Sequence, residues 1–317
     1  MKTLKLLGMA AAAAALSGCG GGGGGGGDGD AFQSFATLEA GRSHRINGQA
    51  IVANYETDPS SGDVSGSDVE QHSAAVVITL DDIGALLAAE LFVDDSGFGG
   101  NATPDLTFDT ADGDIFADGD TLDPLTVDYA TAISAGADRI AVAADPAAMG
   151  FEYQTFGIWA TGIDTGNGTA GAGTFGFATP RQSLPANGSA TYNGQSAGLF
   201  LDKDGDTFAV FADFDAFFNF TNHEISVNTT GSQAIDTATG ISSAMPGLDF
   251  TGTGTVSNGG PFGGSDPDGT FEATITATDL AGTMDGRLYG PNFEEIGATF
   301  GMSGDAGQYL GAIGAVR

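Results

Sequence analysis

The tightest restriction on this chain's fold is a run of short segments with alternating polarity, each closed by Gly, Asp, Asn or Pro, that continues to the last residues. In Phe271-Glu-Ala-Thr-Ile-Thr-Ala-Thr278 the side chains of Phe271, Ala273, Ile275 and Ala277 share one face, because successive side chains of a strand point to opposite sides. The same reading predicts strands over 151–161, 173–178, 189–200 with a kink at Gly194, 207–217, 224–230, 248–256, 270–280, 283–289, 295–301 and 309–316, with a tight reversal at Ala281-Gly282. Near-even spacing in consecutive order predicts an all-β architecture. Its C-terminal part, 151–317, is expected to be an antiparallel up-and-down β-barrel of about eight strands, since closure removes exposed sheet edges. A β-sandwich is the alternative.

Before residue 151 the strand-like runs are shorter: 46–55, 74–80, 106–108, 125–129 and 139–143, separated by acidic loops. They predict a β-rich domain over 32–150. Helical spacing is scarce. The best helix candidate is Leu80–Phe92, with an acidic start but interrupted by Gly84, and a shorter one is the turn from Asp145 to Met149 with Pro146 in its first turn.

The first 31 residues have a different character. Lys2 and Lys5 precede an apolar stretch from Leu6 to Leu16, too short to span a bilayer, which ends in Leu16-Ser-Gly-Cys19. That ending resembles the lipobox of bacterial lipoproteins. Small residues fit a peptidase site, and only a thiol can accept the lipid. The expectation is a signal peptide over 1–18, lipidation of Cys19 and a flexible glycine-rich linker to residue 31. Cys19 is the only cysteine, so its lipidation leaves no thiol for a disulfide, a metal or a nucleophile.

Without the leader the chain carries 7 basic and 41 acidic residues, a net charge of −34. Such a surface argues against nucleic acid and anionic lipid as partners; its first reading is solubility, with attraction of a cationic partner as the sharper alternative. Aspartates outnumber glutamates 32 to 9, as expected where carboxylates close turns.

Motifs with chemical meaning fail on context. Gly194-Gln-Ser-Ala-Gly198 has the spacing of a nucleophile elbow around Ser196, but a strand rather than a helix is predicted after it. Gly171-Ala-Gly-Thr-Phe-Gly176 has dinucleotide-loop spacing, yet Pro180 stands where its helix would run. Asp202-Lys-Asp-Gly-Asp206, with Asp213 at the twelfth position, starts like a calcium loop, but Thr207 replaces the sharp-turn glycine. The acidic run Asp112, Asp114, Asp118, Asp120, Asp123 is a second calcium candidate. His44, His72 and His223 are far apart in sequence, with His223 a bare candidate for haem. Trp159, the only tryptophan, reads as core. No catalytic set emerges, and the chain reads as a non-enzyme without a required cofactor; haem and calcium stay open.

Four stretches carry a family resemblance. Tyr153-Gln-Thr-Phe-Gly-Ile-Trp159, Pro185-Ala-Asn-Gly-Ser-Ala-Thr-Tyr192 continuing to Gly198, Phe208 to Phe214 with Ala212-Asp-Phe214, and Gly286-Arg-Leu-Tyr-Gly-Pro-Asn-Phe-Glu-Glu-Ile-Gly297 follow in order. Together with the closing Gly-Ala-Val-Arg317 they resemble the β-barrel domain of transferrin-binding protein B and its relatives among Gram-negative surface lipoproteins, over about 150–317. The resemblance implies a barrel paired with a "handle", here 32–150, on a lipid-tethered outer-membrane protein exposed at the cell surface. It implies capture of an extracellular protein or small solute for iron or haem acquisition, alongside a TonB-dependent outer-membrane receptor. The chain departs from the transferrin binders in having one handle and one barrel rather than two of each. A structural or adhesive surface protein is the competing reading.

Overall fold

The computed structural model describes residues 32–93, 103–118, 127–180, 183–257 and 269–317; Cys19, the glycine run, Asp120 and Asp123 lie outside the described residues. Two antiparallel sheets account for nearly all of it. The first contains β1 (Ser43–Thr57), β2 (Val64–Gly66), β3 (Glu70–Leu80), β4 (Leu86–Val93), β5 (Leu106–Asp109), β6 (Ile115–Asp118), β7 (Tyr129–Ile133), β8 (Arg139–Ala144), β9 (Gln154–Thr161) and β10 (Asn167–Gly176). Its strand order is β5-β4-β3-β1-β10-β9-β8-β7-β6, with β2 beside β1. The second contains β11 (Ser189–Asp202), β12 (Thr207–Asn219), β13 (Glu224–Asp236), β14 (Ser242–Ala244), β15 (Thr251–Val256), β16 (Thr270–Ala277), β17 (Leu280–Tyr289), β18 (Glu295–Gly304) and β19 (Gly307–Val316).

The second sheet closes. Each strand pairs with the next in sequence, β14 excepted as a short flap on β13, and β11 pairs with both β12 and β19. The ring is therefore an eight-stranded up-and-down barrel, as the sequence predicts. An all-antiparallel ring needs an even number of strands, because direction must alternate all the way round. The first sheet has nine strands along its path, so its edge strands β5 and β6 run in the same sense, and no ladder joins them among the described residues. The edges still approach. Arg139 on β8 donates from Nε to the carbonyl of Thr107 on β5 (2.7 Å) and reaches Asp114 just before β6 (3.3 Å).

Alternation sorts the core into three layers. Ile46, Ala50, Leu91, Phe108, Trp159 and Phe175 lie inside the first sheet. Tyr192, Phe214, Phe218, Phe271, Phe300 and Tyr309 fill the second. Ile51, Phe156, Ala172, Phe211, Leu310 and Ala312 are packed between the two sheets.

Several expectations need correction. Strands β9 and β10, read from the sequence as the start of the C-terminal barrel, hydrogen-bond to β8 and β1 and belong to the first sheet. The helix expected over 80–92 is a turn followed by β4: Asp81 Oδ1 accepts from the amides of Ile83 and Ala85, Gly84 adopts φ +88°, and residues 86–93 pair with β3. Pairing with a ready strand overrides local helix propensity. The reversal expected at 281–282 falls at Thr278-Asp279, with Ala277 paired to Leu280 and Asp279 at φ +57°, a conformation short polar residues tolerate. No register shift occurs at Gly194; the irregularity is on β12, between Phe211 and Asp213. In the run expected over 125–129, residues 127 and 128 form a turn and β7 starts at Tyr129. The short helix Pro146–Met149 is present, capped by Asp145 Oδ1 on the amides of Ala147 and Ala148.

Candidate protein-binding surface

Hairpin turns from both sheets are hydrogen-bonded to one another in a continuous row. Asp114 Oδ1 accepts from the amide of Ala135 in the β7–β8 turn (2.8 Å). The carbonyl of Asp138 in that turn accepts from Ile163 in the β9–β10 turn (3.0 Å), and Gly166 in the latter accepts from Thr57 at the end of β1 (2.8 Å). The row then crosses to the barrel. Val64 donates to the carbonyl of Gly205 in the β11–β12 hairpin (3.2 Å), and Lys203 in that hairpin donates from its backbone to Ala306 between β18 and β19 (3.0 Å). Thr237 beside the β13–β14 turn joins through the carbonyl of Thr207 (3.0 Å).

This ridge is acidic. Asp58, Asp63, Asp164, Asp204, Asp206 and Asp305 are exposed along it. Its basic residues, Lys203 and Arg139, are each held by an aspartate, Asp204 and Asp138 respectively. The Ser60 hydroxyl, with the amides of Ser60 and Ser61, holds the Asp58 carboxyl below the usual range; the Ser134 hydroxyl, ahead of Arg139, does so for Asp138. Hydrogen bonds to the ionised form favour it, so these positions keep their charge in mild acid. Ile115 (49% exposed), Ile163 (46%) and Ile241 (65%) stand among the carboxylates. Exposed apolar side chains among carboxylates give the turns both kinds of contact that a protein partner uses.

At the opposite end of β18 and β9 from the ridge, the sheets are fastened by residues of the Gly286–Gly297 stretch. Gly290 at φ +86° turns the chain after β17, and Glu294 caps that turn by accepting from the Asn292 amide (2.8 Å). Glu295, 1% exposed, reaches into the first sheet: Oε1 accepts from the amide of Glu152 (2.6 Å), and Oε2 from those of Tyr153 (3.0 Å) and Gln154 (2.9 Å). Burial pushes its carboxyl up to about 7, against the three amides, which favour the anion. Close packing needs small residues. A Cβ on Gly297 would fall 2.1 Å from Thr174 Oγ1, and one on Gly314 2.3 Å from Gln154 Nε2. A carboxylate following Gly290-Pro291, Glu294 or Glu295, suits the amides of that turn; nothing in the sequence shows that Glu295 serves the other sheet.

The structure disperses the motif residues. Ser196 is fully buried on β11, its hydroxyl donating to the Ala212 carbonyl (3.4 Å). Gly171–Gly176 lies within β10, where Gly171 makes room for the Trp159 indole. Asp202 closes a hairpin by accepting from the amides of Asp204 (2.8 Å) and Asp206 (2.9 Å), and Asp213 is exposed on β12. Asp114 is buried; desolvation opposes its charge, but the amides of Ala135 and Asp109 and the Arg139 guanidinium outweigh it and hold it low. His44 Nε2 meets the Glu39 carbonyl (2.8 Å), His72 Nε2 lies 3.7 Å from Glu70, and His223 occupies the β12–β13 turn at φ +60°. No group of three or more metal-binding side chains occurs among the described residues. Trp159 is core, but in the first sheet rather than the barrel.

Residues 184–317 match the family described as the C-lobe and N-lobe beta barrels of Tf-binding protein B. The match begins after β10, so the Tyr153–Trp159 stretch lies outside it. Among solved structures, a transferrin binding protein B double mutant from Haemophilus parasuis is 11% identical with a TM-score of 0.38, over 87% of this chain and 76% of that one. A mutant of the protein from Actinobacillus pleuropneumoniae is 12% identical with a TM-score of 0.44, over 84% and 98%. The N-lobe of lactoferrin binding protein B from Moraxella bovis is 10% identical with a TM-score of 0.34, over 84% and 99%. No curated protein matches the sequence. The C-terminal ring is a barrel of the type this family model describes.

Proposed function

We propose that this chain, with its C-terminal barrel of the transferrin-binding protein B kind, is a lipid-anchored outer-membrane surface protein that captures an extracellular protein for iron or haem acquisition. The family match over 184–317 carries the reading. The Leu16-Ser-Gly-Cys19 ending and the glycine run support lipidation at Cys19 and a spacer to the membrane. In this reading the first sheet acts as the handle, the ridge of turns meets the partner, and a TonB-dependent receptor takes over the cargo. The acidic ridge selects a basic protein surface, so attraction is steered by charge and weakened by salt.

The test is binding of the chain without its leader to host transferrin, lactoferrin and haemoglobin by surface plasmon resonance at 50 and 300 mM salt, with haem titrated by absorbance. Binding to one carrier that weakens about tenfold or more at high salt is expected. Failure of all three proteins and no haem spectrum would leave the structural or adhesive reading. Metabolic labelling with a fatty acid, lost in Cys19→Ala, tests the anchor separately.

A further inference from the structure

Among the described residues, the interior of the first sheet is not filled. A cavity of about 190 Å³ lies inside it, walled by Ile46, Leu91, Phe108, Phe116, Trp159 and Phe175 among others, with no charged side chain in its lining. The barrel beside it has an interior crowded with aromatic rings, whereas β7 and β8 turn alanines, Ala132 and Ala141, toward the space in the first sheet. Two of the wall residues, Phe108 on β5 and Phe116 on β6, face each other across the unpaired edges with ring centroids 6.4 Å apart. The seam between β5 and β6, which no ladder joins among the described residues, therefore runs beside the cavity and is bridged by two side chains.

We propose that the first sheet is a binding site for a small, neutral, apolar molecule that enters between β5 and β6. A protein cavity of about 150 Å³ lined by aliphatic and aromatic groups stays dry and takes up benzene. By proportion this one holds roughly six to eight carbons. That excludes a full membrane acyl chain, and among the described residues the lining carries no charged partner for a carboxylate or ammonium; its polar side chains are Thr131 and Thr155. The site is separate from the acidic ridge and stands or falls independently of the protein-capture reading.

The only tryptophan of the chain lies in the wall, so its fluorescence reports occupancy directly. Titrating the full chain with 1-bromohexane should quench Trp159 saturably, toluene should reverse the quenching by competition, and iodide should quench weakly. Ala132→Leu, and Ala141→Leu on the neighbouring strand as a second variant, fill the space and should raise the half-saturating concentration at least tenfold while keeping the parent's circular dichroism. Quenching that never saturates, or that survives unchanged in a folded Leu variant, overturns the proposal. Vesicles of brominated phosphatidylcholine quenching as well as bromohexane would also overturn it, because the occupant would then be a long lipid chain.

Discussion

Glu295 offers a sharp test because two opposing effects act on one buried carboxyl. Its carboxyl stands at about 7 against an ordinary 4.5. The folded chain therefore holds a proton there that the unfolded chain has released, across the window between those values. Wherever the native state binds more protons, stability falls as pH rises. The contribution is fully present below about pH 4.5 and is gone above about pH 7. Each tenfold difference in proton affinity between the folded and unfolded chain is worth about 1.4 kcal/mol, so the loss across this window amounts to about 3 kcal/mol. Glu295→Gln removes the titration but keeps the shape. Urea unfolding of parent and variant at pH 5, 6, 7 and 8, extrapolated linearly, isolates this group because the other titrations cancel in the difference. Relative to the parent, the variant should gain about 3 kcal/mol between pH 5 and pH 8, whatever offset it carries from rearranged hydrogen bonds. Parallel curves would refute the reasoning. A relative loss by the variant with rising pH would show that the amides of Glu152, Tyr153 and Gln154 outweigh desolvation and that the carboxyl is held low.

Three further outcomes follow from the packing. Gly314→Val places a branched side chain where Gln154 and Phe156 already sit, so thermal melting should show a destabilisation of about 1–3 kcal/mol or more, while Gly247→Ala, whose new Cβ would meet nothing closer than 3.8 Å, should melt near the parent. Gln154 buries both atoms of its side-chain amide without a hydrogen-bond partner among the described residues. Gln154→Met should accordingly raise stability by about 1–3 kcal/mol in urea unfolding, and an equal loss would reveal a bridging group. Asp114→Asn should cost about 1–3 kcal/mol at pH 7, because a buried acceptor of the Ala135 and Asp109 amides loses its charge. Since Asp114 is held below its ordinary 3.8, that stabilisation is present above this value and is lost as pH falls through the lower folded one; the gap between variant and parent should close there.

Much of the barrel was readable because a strand with one face in a core must alternate, as β16 does throughout and β12 does from Ala212 onward, whereas β19 is buried on both faces and was marked by its apolar run alone. What alternation cannot state is a strand's partner. Phe156 and Trp159 mark a strand with two buried faces, and that description fits either sheet; only the ladders to β8 and β1 decide it. The segment Leu86–Val93 misled for a related reason, its leucines and alanines being good helix formers that β3 recruits into a strand. The ridge was visible only as scattered Asp and Gly turns, since neighbouring turns such as Asp63 and Gly205 are remote in sequence. A carboxylate after Gly290-Pro291 suits that turn, and Glu294 takes the part; that Glu295 accepts from the amides of residues 152–154 leaves no mark in the local sequence.

The two sheets show how strand count separates roles within one compact unit. Eight antiparallel strands close, and closure forces the interior to be filled by side chains from every direction; Phe214, Phe218, Phe250, Phe271 and Phe300 do this in the barrel. Nine cannot close with antiparallel pairs alone; β5 and β6 run in the same sense, and no ladder joins them among the described residues. Residues that would have filled a ring are replaced there by alanines on β4, β7 and β8, and the edges are held by side chains, the Arg139 bonds and the Phe108–Phe116 contact. Side-chain contacts open at lower cost than ladders. The closed ring is therefore suited to act as the rigid base from which turns are displayed, and the open one is the half able to admit something into its interior.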